Sequence, residues 1–348
     1  METKKSGYSS RFALICVLIG GSVGTGNLWR FPRLVANTGG AAFIIVMTVC
    51  VFLTALPLLY VENFMGRATR HSAPGAFHDI CGKKYTCLGM FATLAYLLML
   101  AYYLVVLAWC LRYAGMSLTG GYFGVDKEAL FTSVTTADPA TIGVWVVALV
   151  LVYFGIAKQE ALEKVSSILM PCLFGLLMAM CGVNILIDCG VSRKKGSLIV
   201  VLFLAIVGLP SAINPDILNN QDNVWGFGLM WGSLFLGIAA MKFGAKKMRT
   251  KFLNPVSDIK INKTFDILAP YVAPLLVLAV LVVWMVSSIG WSDTPWAMTF
   301  TGVTTGTILY QWIVVFIASI FLSRWYNKKI VANYYDGEEF PEMPEGLL

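Results

Sequence analysis

The chain has 348 residues, a net charge of +7, 58% hydrophobic residues and only 13% charged ones. A soluble domain is roughly a quarter charged, so this much apolar surface cannot be hidden in one soluble core and calls for a lipid-facing exterior. The basic residues stand in short runs between apolar stretches, as cytoplasmic membrane loops do, which argues against reading the charge as a nucleic-acid surface.

A spanning helix needs about 20 mostly apolar residues. Nine segments qualify: 12–36, 40–66, 87–116, 141–157, 165–187, 197–213, 224–243, 267–290 and 298–323. Lipid cannot satisfy open backbone groups, so spans must be helical, and the expected fold class is all-α, a polytopic membrane helix bundle. Lys4 and Lys5 before the first apolar run could mimic a secretory signal, but no small-x-small cleavage site stands out. Polar interruptions fall at 71–84, 117–139 and 244–266. The tail 325–348 carries Asp336, Glu338, Glu339, Glu342 and Glu345 and is expected to be a solvated cytoplasmic end. Eight cysteines without a Cys-x-x-Cys pair, and only two histidines, His71 and His78, predict neither a zinc site nor a disulfide framework. No P-loop and no metal-spacing histidine pair is present, so no enzyme is expected. Asn262-Lys263-Thr264 is a formal glycosylation sequon in a predicted cytoplasmic loop.

Lysine and arginine in short loops set orientation. Lys4, Lys5 and Arg11 place the N-terminus in the cytoplasm; Arg67, Arg70, Lys83 and Lys84, then Lys158 and Lys164, fall on the same side by counting spans. The next link breaks the count. Arg193, Lys194 and Lys195 sit in the short link after the fifth span, which should be outside. The later clusters, Lys246, Lys247, Arg249 and Lys251, and Arg324, Lys328 and Lys329, agree with Arg193–Lys195 and not with the first half. Either an odd number of spans is missing near residue 190, or the second half inserts inverted, or one segment does not span.

The first span is the chemically loaded one. Residues 20–27 read Gly-Gly-Ser-Val-Gly-Thr-Gly-Asn, and each glycine costs a helix about 1 kcal/mol relative to alanine. Such a stretch can unwind and offer its carbonyls and amides to a ligand. Gly20-x-x-x-Gly24 also matches a close helix-packing pattern, and both readings stand on the glycines alone. Asn27 and Arg30 favour the ligand reading, because polar groups at this depth default to function.

The run Gly24-Thr25-Gly26-Asn27-Leu28-Trp29-Arg30-Phe31-Pro32, followed by Asn37-Thr38-Gly39-Gly40-Ala41-Ala42-Phe43, closely resembles the first-helix signature of the neurotransmitter:sodium symporters, sodium-dependent amino-acid transporters among them. Leu56-Pro57-Leu58-Leu59-Tyr60-Val61-Glu62 with Met65-Gly66-Arg67, the pair Tyr102-Tyr103, Gly155-Ile156-Ala157-Lys158 and Leu162–Pro171 resemble family helices two to five. Ser192–Lys195 with Gly208-Leu209-Pro210-Ser211-Ala212 resembles the start of the ninth helix, and the last three spans resemble helices ten to twelve. The resemblance thus implies membrane domains at 1–190 and 191–324, a tail from 325, and no counterpart of helices six to eight. Three absent helices would explain the charge break.

The resemblance implies an inverted-repeat symporter fold, here incomplete with about nine spans, and two sodium ions beside the break in the first helix. One would take the carbonyl of Ser22, the side chain of Asn27 and the substrate carboxylate; the other, carbonyls of Gly20 and Val23. Amides around Gly21, Ser22, Gly24 and Gly26 would meet the substrate carboxylate at a half-helix N-terminus. Tyr103 would donate its hydroxyl to it, with Met99, one turn earlier, either lining the side-chain pocket or simply packing. Glycine at 24, where monoamine carriers of the family carry an aspartate, favours an amino-acid substrate. Arg30 and Asp222 resemble an outer gate; without the family, Asp222 reads as a solvated loop residue at the mouth of the seventh span. Glu62 is a carboxylate within a span, which costs about 2.5–3.5 kcal/mol at the bilayer centre; in the family it helps hold the sixth helix. Tyr8 stands where the family usually has tryptophan, Lys5 where arginine is common, and each sodium site keeps only its first-helix half. The expected activity is sodium-coupled amino-acid symport at the plasma membrane, with homo-oligomers as one way to supply absent elements. The alternative is a remnant or regulatory fragment that does not transport.

Overall fold

The computed structural model describes residues 31–32, 34–121, 123–136, 138–157, 170–257, 259–290, 295 and 302–333. Among the described residues there is no strand, and seven helical stretches are long and apolar enough to cross a membrane: Ala41–Thr69, Lys83–Thr119, Pro139–Ala157, Arg193–Ile213, Pro215–Phe243, Phe265–Ser288 and Thr305–Ile330. They fall on seven of the nine expected spans. Nearly all of the expected first span, and the start of the fifth, lie outside the described residues.

The helices are named in chain order. α1 is Ala41–Thr69, with a π-helical turn at Val51–Ala55 directly before Pro57, where the missing proline N–H disturbs the regular ladder. α2, Ala73–Cys81, lies in the first polar interruption. Ser72 precedes it in extended geometry, Pro74 sits at its start, and Gly82 ends it at φ +96°, a left-handed value suited to glycine. α3 is the long helix Thr86–Thr119, followed by the short α4, Lys127–Thr135, whose N-cap Asp126 accepts from the Ala129 amide at 3.4 Å. α5 is Pro139–Ala157, α6 Met170–Asp188 and α7 Arg193–Ile213.

α8, Pro215–Gly228, runs into α9, Met230–Phe243, as one long stretch. Its first turns carry Asp216, Asn219, Asn220, Gln221, Asp222 and Asn223, which hydropathy reads as loop, but a proline at the first position suits a helix start. α10 is Phe265–Ser288. α11, Thr305–Asn333, continues past the expected span and buries Tyr326 and Ile330, so residues assigned to the tail from 325 belong to the last helix.

The chain divides into two compact units, each drawing on sequence from both sides of residue 190. One comprises Met1–Ala41, Leu100–Val183 and Arg193–Pro215; the other, Ala42–Met99, Asn184–Ser192 and Asp216–Leu348. In the first unit, Arg112 pairs with Asp138 and donates to Thr141 Oγ1 at 2.7 Å, tying the end of α3 to the start of α5. α5 and α7 each bury a stripe along their length, Thr141 to Ile156 and Gly196 to Ala212. Gly208, near the end of α7, faces Trp145, near the start of α5; a Cβ there would stand 3.3 Å from the indole and 2.7 Å from the Ala101 carbonyl oxygen. Helices packed over their length with end against start are antiparallel. Ala157 and Arg193 therefore lie at the same end of this unit.

The second unit is held by aromatic packing. Phe91 meets Phe235 at 5.8 Å and Phe316 at 5.9 Å, linking α3, α9 and α11. Trp312 stands 5.7 Å from Trp231 and 6.1 Å from Trp284, and Phe227 stacks on Trp284 at 3.9 Å. At Gly89 a Cβ would lie 2.5 Å from the Ala73 carbonyl oxygen and 2.7 Å from the Pro74 nitrogen, so α2 rests directly on the α3 backbone.

Candidate functional site

Gly20, Gly21, Ser22, Val23, Gly24, Gly26, Asn27 and Arg30, which carry both expected sodium half-sites, lie outside the described residues. Four other expected residues are described. Met99 is buried and Tyr103 half-buried on α3, one turn apart, and the Tyr103 ring tilts against Tyr102 at 5.0 Å. Four residues' separation puts both side chains on one helix face. Glu62 is exposed on α1, next to the fully buried Val61. In a span such a carboxylate calls for water, a proton or a partner.

Asp222 is half-buried and helical, on α8, which corrects the loop reading. Its neighbours fix that stretch to α11. Gln311 Nε2 donates to Asn220 Oδ1 at 2.8 Å, Gln221 Nε2 to Gln311 Oε1 at 3.1 Å, and Trp225 Nε1 to Gln221 Oε1 at 2.9 Å. Asn220 Nδ2 also donates to the Gly302 carbonyl at 2.7 Å. Interlocked amides of this kind hold a charged side chain in one place at a helix start.

The densest buried polar cluster in the second unit was not among the expected residues. Asp188, at the end of α6, accepts on one oxygen from the Ser72 amide at 2.9 Å, from the Ser72 hydroxyl, and from the Tyr326 hydroxyl at 2.6 Å. Beside it Asp79 stands between two histidines, 2.8 Å from His71 Nδ1 and 3.0 Å from His78 Nδ1. Asp79, His78, Ser72, Asp188 and Tyr326 are all buried. The His78 Nε2 atom has no hydrogen-bond partner among the described residues. The signal in the sequence was that the only two histidines, His71 and His78, flank the same polar interruption.

Burial alone would lower the His71 pKa, but the hydrogen bond to Asp79 and the charges of Asp79 and Asp188 outweigh it and raise the value above 6.5. The charges acting on His71 are those of Asp79 on α2 and Asp188 at the end of α6. A raised folded-state value means stabilisation that is complete below about pH 6.5 and lost as pH rises through the folded pKa. The difference in unfolding midpoint between the native chain and His71→Gln is accordingly expected to be present at pH 6 and to shrink by pH 9. A difference that does not vary with pH would show that His71 only packs.

Among the described residues no group of three or more His, Cys, Asp or Glu could hold a metal ion. The oxygen donors expected for sodium belong to the first helix, outside those residues.

Residues 5–123 match the model of the Sodium:neurotransmitter symporter family. An uncharacterized sodium-dependent transporter of Methanocaldococcus jannaschii is 28% identical over 74% of this chain and 51% of its own length. The human sodium- and chloride-dependent taurine transporter is 33% identical over 30% of this chain and 17% of its own length. The crystal structure of MhsT in complex with L-phenylalanine aligns with 94% of this chain and 81% of that one, at 18% identity and a TM-score of 0.43. The chain spans about half the length of the archaeal relative, and less of the human one. The similarity to the Sodium:neurotransmitter symporter family is thus carried by residues 5–123.

Proposed function

We propose that this chain carries out sodium-coupled symport of an amino acid. The observation behind this reading is the family match over residues 5–123, which contains the glycine-rich run ending in Asn27. On this reading Ser22 and Asn27 supply one sodium ion, Gly20 and Val23 a second, and amides from Gly21 to Gly26 take the substrate carboxylate, with Tyr103 as a further donor. Neutral oxygen ligands suit a hard cation without trapping it. Met99 lines the side-chain pocket, Arg30 and Asp222 close over the substrate, and Gly24 leaves room for a ligand that brings its own carboxylate. On this reading the N-terminus, with Lys4, Lys5 and Arg11, faces the cytoplasm at the plasma membrane.

The thermodynamic requirement is strict coupling. An ion moving down ~100 mV gains about 2.3 kcal/mol, and a tenfold gradient adds about 1.4 kcal/mol. One coupled sodium can therefore hold roughly a 500-fold substrate gradient, provided substrate cannot cross without it.

A second reading, a membrane fragment that keeps the signature without transporting, is favoured by the coverage of about half of the archaeal relative. Uptake of a labelled amino-acid mixture into proteoliposomes, with and without an inward sodium gradient, separates the two. Sodium-dependent accumulation that is lost in Asn27→Ala is the expected result. Absence of accumulation by inserted, monodisperse protein would establish the second reading.

A further inference from the structure

The end of the second unit that carries Asp188 also gathers cations. Asn327 Nδ2 donates to the Lys83 carbonyl at 3.2 Å, and the Lys242 ammonium stands 5.1 Å over the Tyr85 ring. Phe64 packs against Phe243 at 4.9 Å and Phe252 at 5.1 Å. These contacts bring 83–85, 242–252 and 326–329 to one end. Exposed there are Lys84, Lys246, Lys247, Lys251, Lys328 and Lys329.

Three acids at the same end turn inward instead. Asp79 lies between the two histidines, Asp188 on Ser72 and Tyr326, and Asp266 accepts two bonds of 2.8 Å from Arg249. The exposed charge is thus mainly positive. Several cations also lie across aromatic rings: Lys242 on Tyr85, Lys247 over Phe243 at 4.5 Å, and Arg324 over Phe321 at 5.7 Å. Cationic heads held over aromatic rings suit the depth of lipid headgroups, where aromatic side chains are enriched.

We propose that this rim is a binding surface for anionic phospholipid headgroups of a single leaflet. This holds whether or not the chain transports.

The test uses the purified chain in detergent, titrated with dioleoylphosphatidylglycerol or dioleoylphosphatidylcholine while the unfolding midpoint is followed. The anionic lipid should raise the midpoint and the zwitterionic lipid should not. The concentration for half the rise should increase roughly 100-fold in K246Q/K247Q/K251Q, since each cation near an anionic surface contributes a modest, additive attraction. Lys127→Gln, on α4 beyond the far end of α3, should change nothing. Equal responses to the two lipids, or a triple variant as responsive as the native chain, overturn the proposal. Sidedness is read by acetylating lysines with an impermeant ester in sealed inverted vesicles, followed by mass spectrometry. Lys84, Lys246 and Lys328 should be modified together, and protection of any one of them while the other two react would overturn the single-leaflet rim.

Discussion

Asp188→Ala is expected to cost about 3–5 kcal/mol of stability, because one buried carboxylate oxygen satisfies three donors at once. Hydrogen bonds to an ionised acceptor contribute about 1.5–3 kcal/mol each, and a buried donor left without its acceptor costs about 1–3 kcal/mol. Alanine strands the Ser72 amide, the Ser72 hydroxyl and the Tyr326 hydroxyl together. The hydroxyls can turn toward each other, since they already stand 3.1 Å apart, but the amide cannot. Tyr326→Phe removes one donor and leaves the acceptor served, so about 1–2 kcal/mol is expected. Thermal unfolding in detergent ranks the two. An Asp188→Ala chain no less stable than Tyr326→Phe would mean that water replaces the cluster at little cost.

Gly89→Val should be the most damaging single substitution on α3. The first carbon of any side chain would come within 2.5 Å of the Ala73 carbonyl oxygen and 2.7 Å of two further backbone atoms, and none of these can turn aside as a flexible side chain would. Overpacking of this kind costs about 1–3 kcal/mol; alanine should reach the upper part of that range and valine exceed it. The strain has one outlet, displacement of α2, and α2 begins beside Ser72 and carries Asp79. Gly89→Ala should therefore also weaken the pH-dependent contribution of His71, which a pure cavity or propensity effect would leave alone. Unfolding midpoints at pH 6 and pH 9 measure both consequences in one experiment.

The spans were legible because about 20 apolar residues in a row have few alternatives; α1, α3, α5, α7, α10 and α11 all fall where composition puts them. The start of α8 was not legible, since six polar residues between Asp216 and Asn223 outweigh a proline whose only message is that a helix can begin. α2 was hidden in a polar interruption for the same reason. The Asp188 cluster could not have been read at all: its partners are 116 and 138 residues away in sequence, and nothing local marks an aspartate at a helix end as buried. Of the expected site, Met99 and Tyr103 share one face because helix periodicity is local, whereas the ties from Gln311 to Asn220 and Gln221, beside Asp222, are tertiary and leave no local mark.

The indole cluster of Trp231, Trp284 and Trp312 has a practical consequence. Trp312 lies 5.7 Å from Trp231 at 88° and 6.1 Å from Trp284 at 29°, and indoles this close have coupled ultraviolet transitions whose sign depends on their mutual orientation. All three belong to the unit that contains the Asp188 cluster, while Trp109 and Trp145 belong to the other. Near-ultraviolet circular dichroism of the unlabelled protein is thus weighted toward one unit. A melt in which that band disappears before helical signal is lost would show the two units unfolding in separate steps, using only optics already built into the chain.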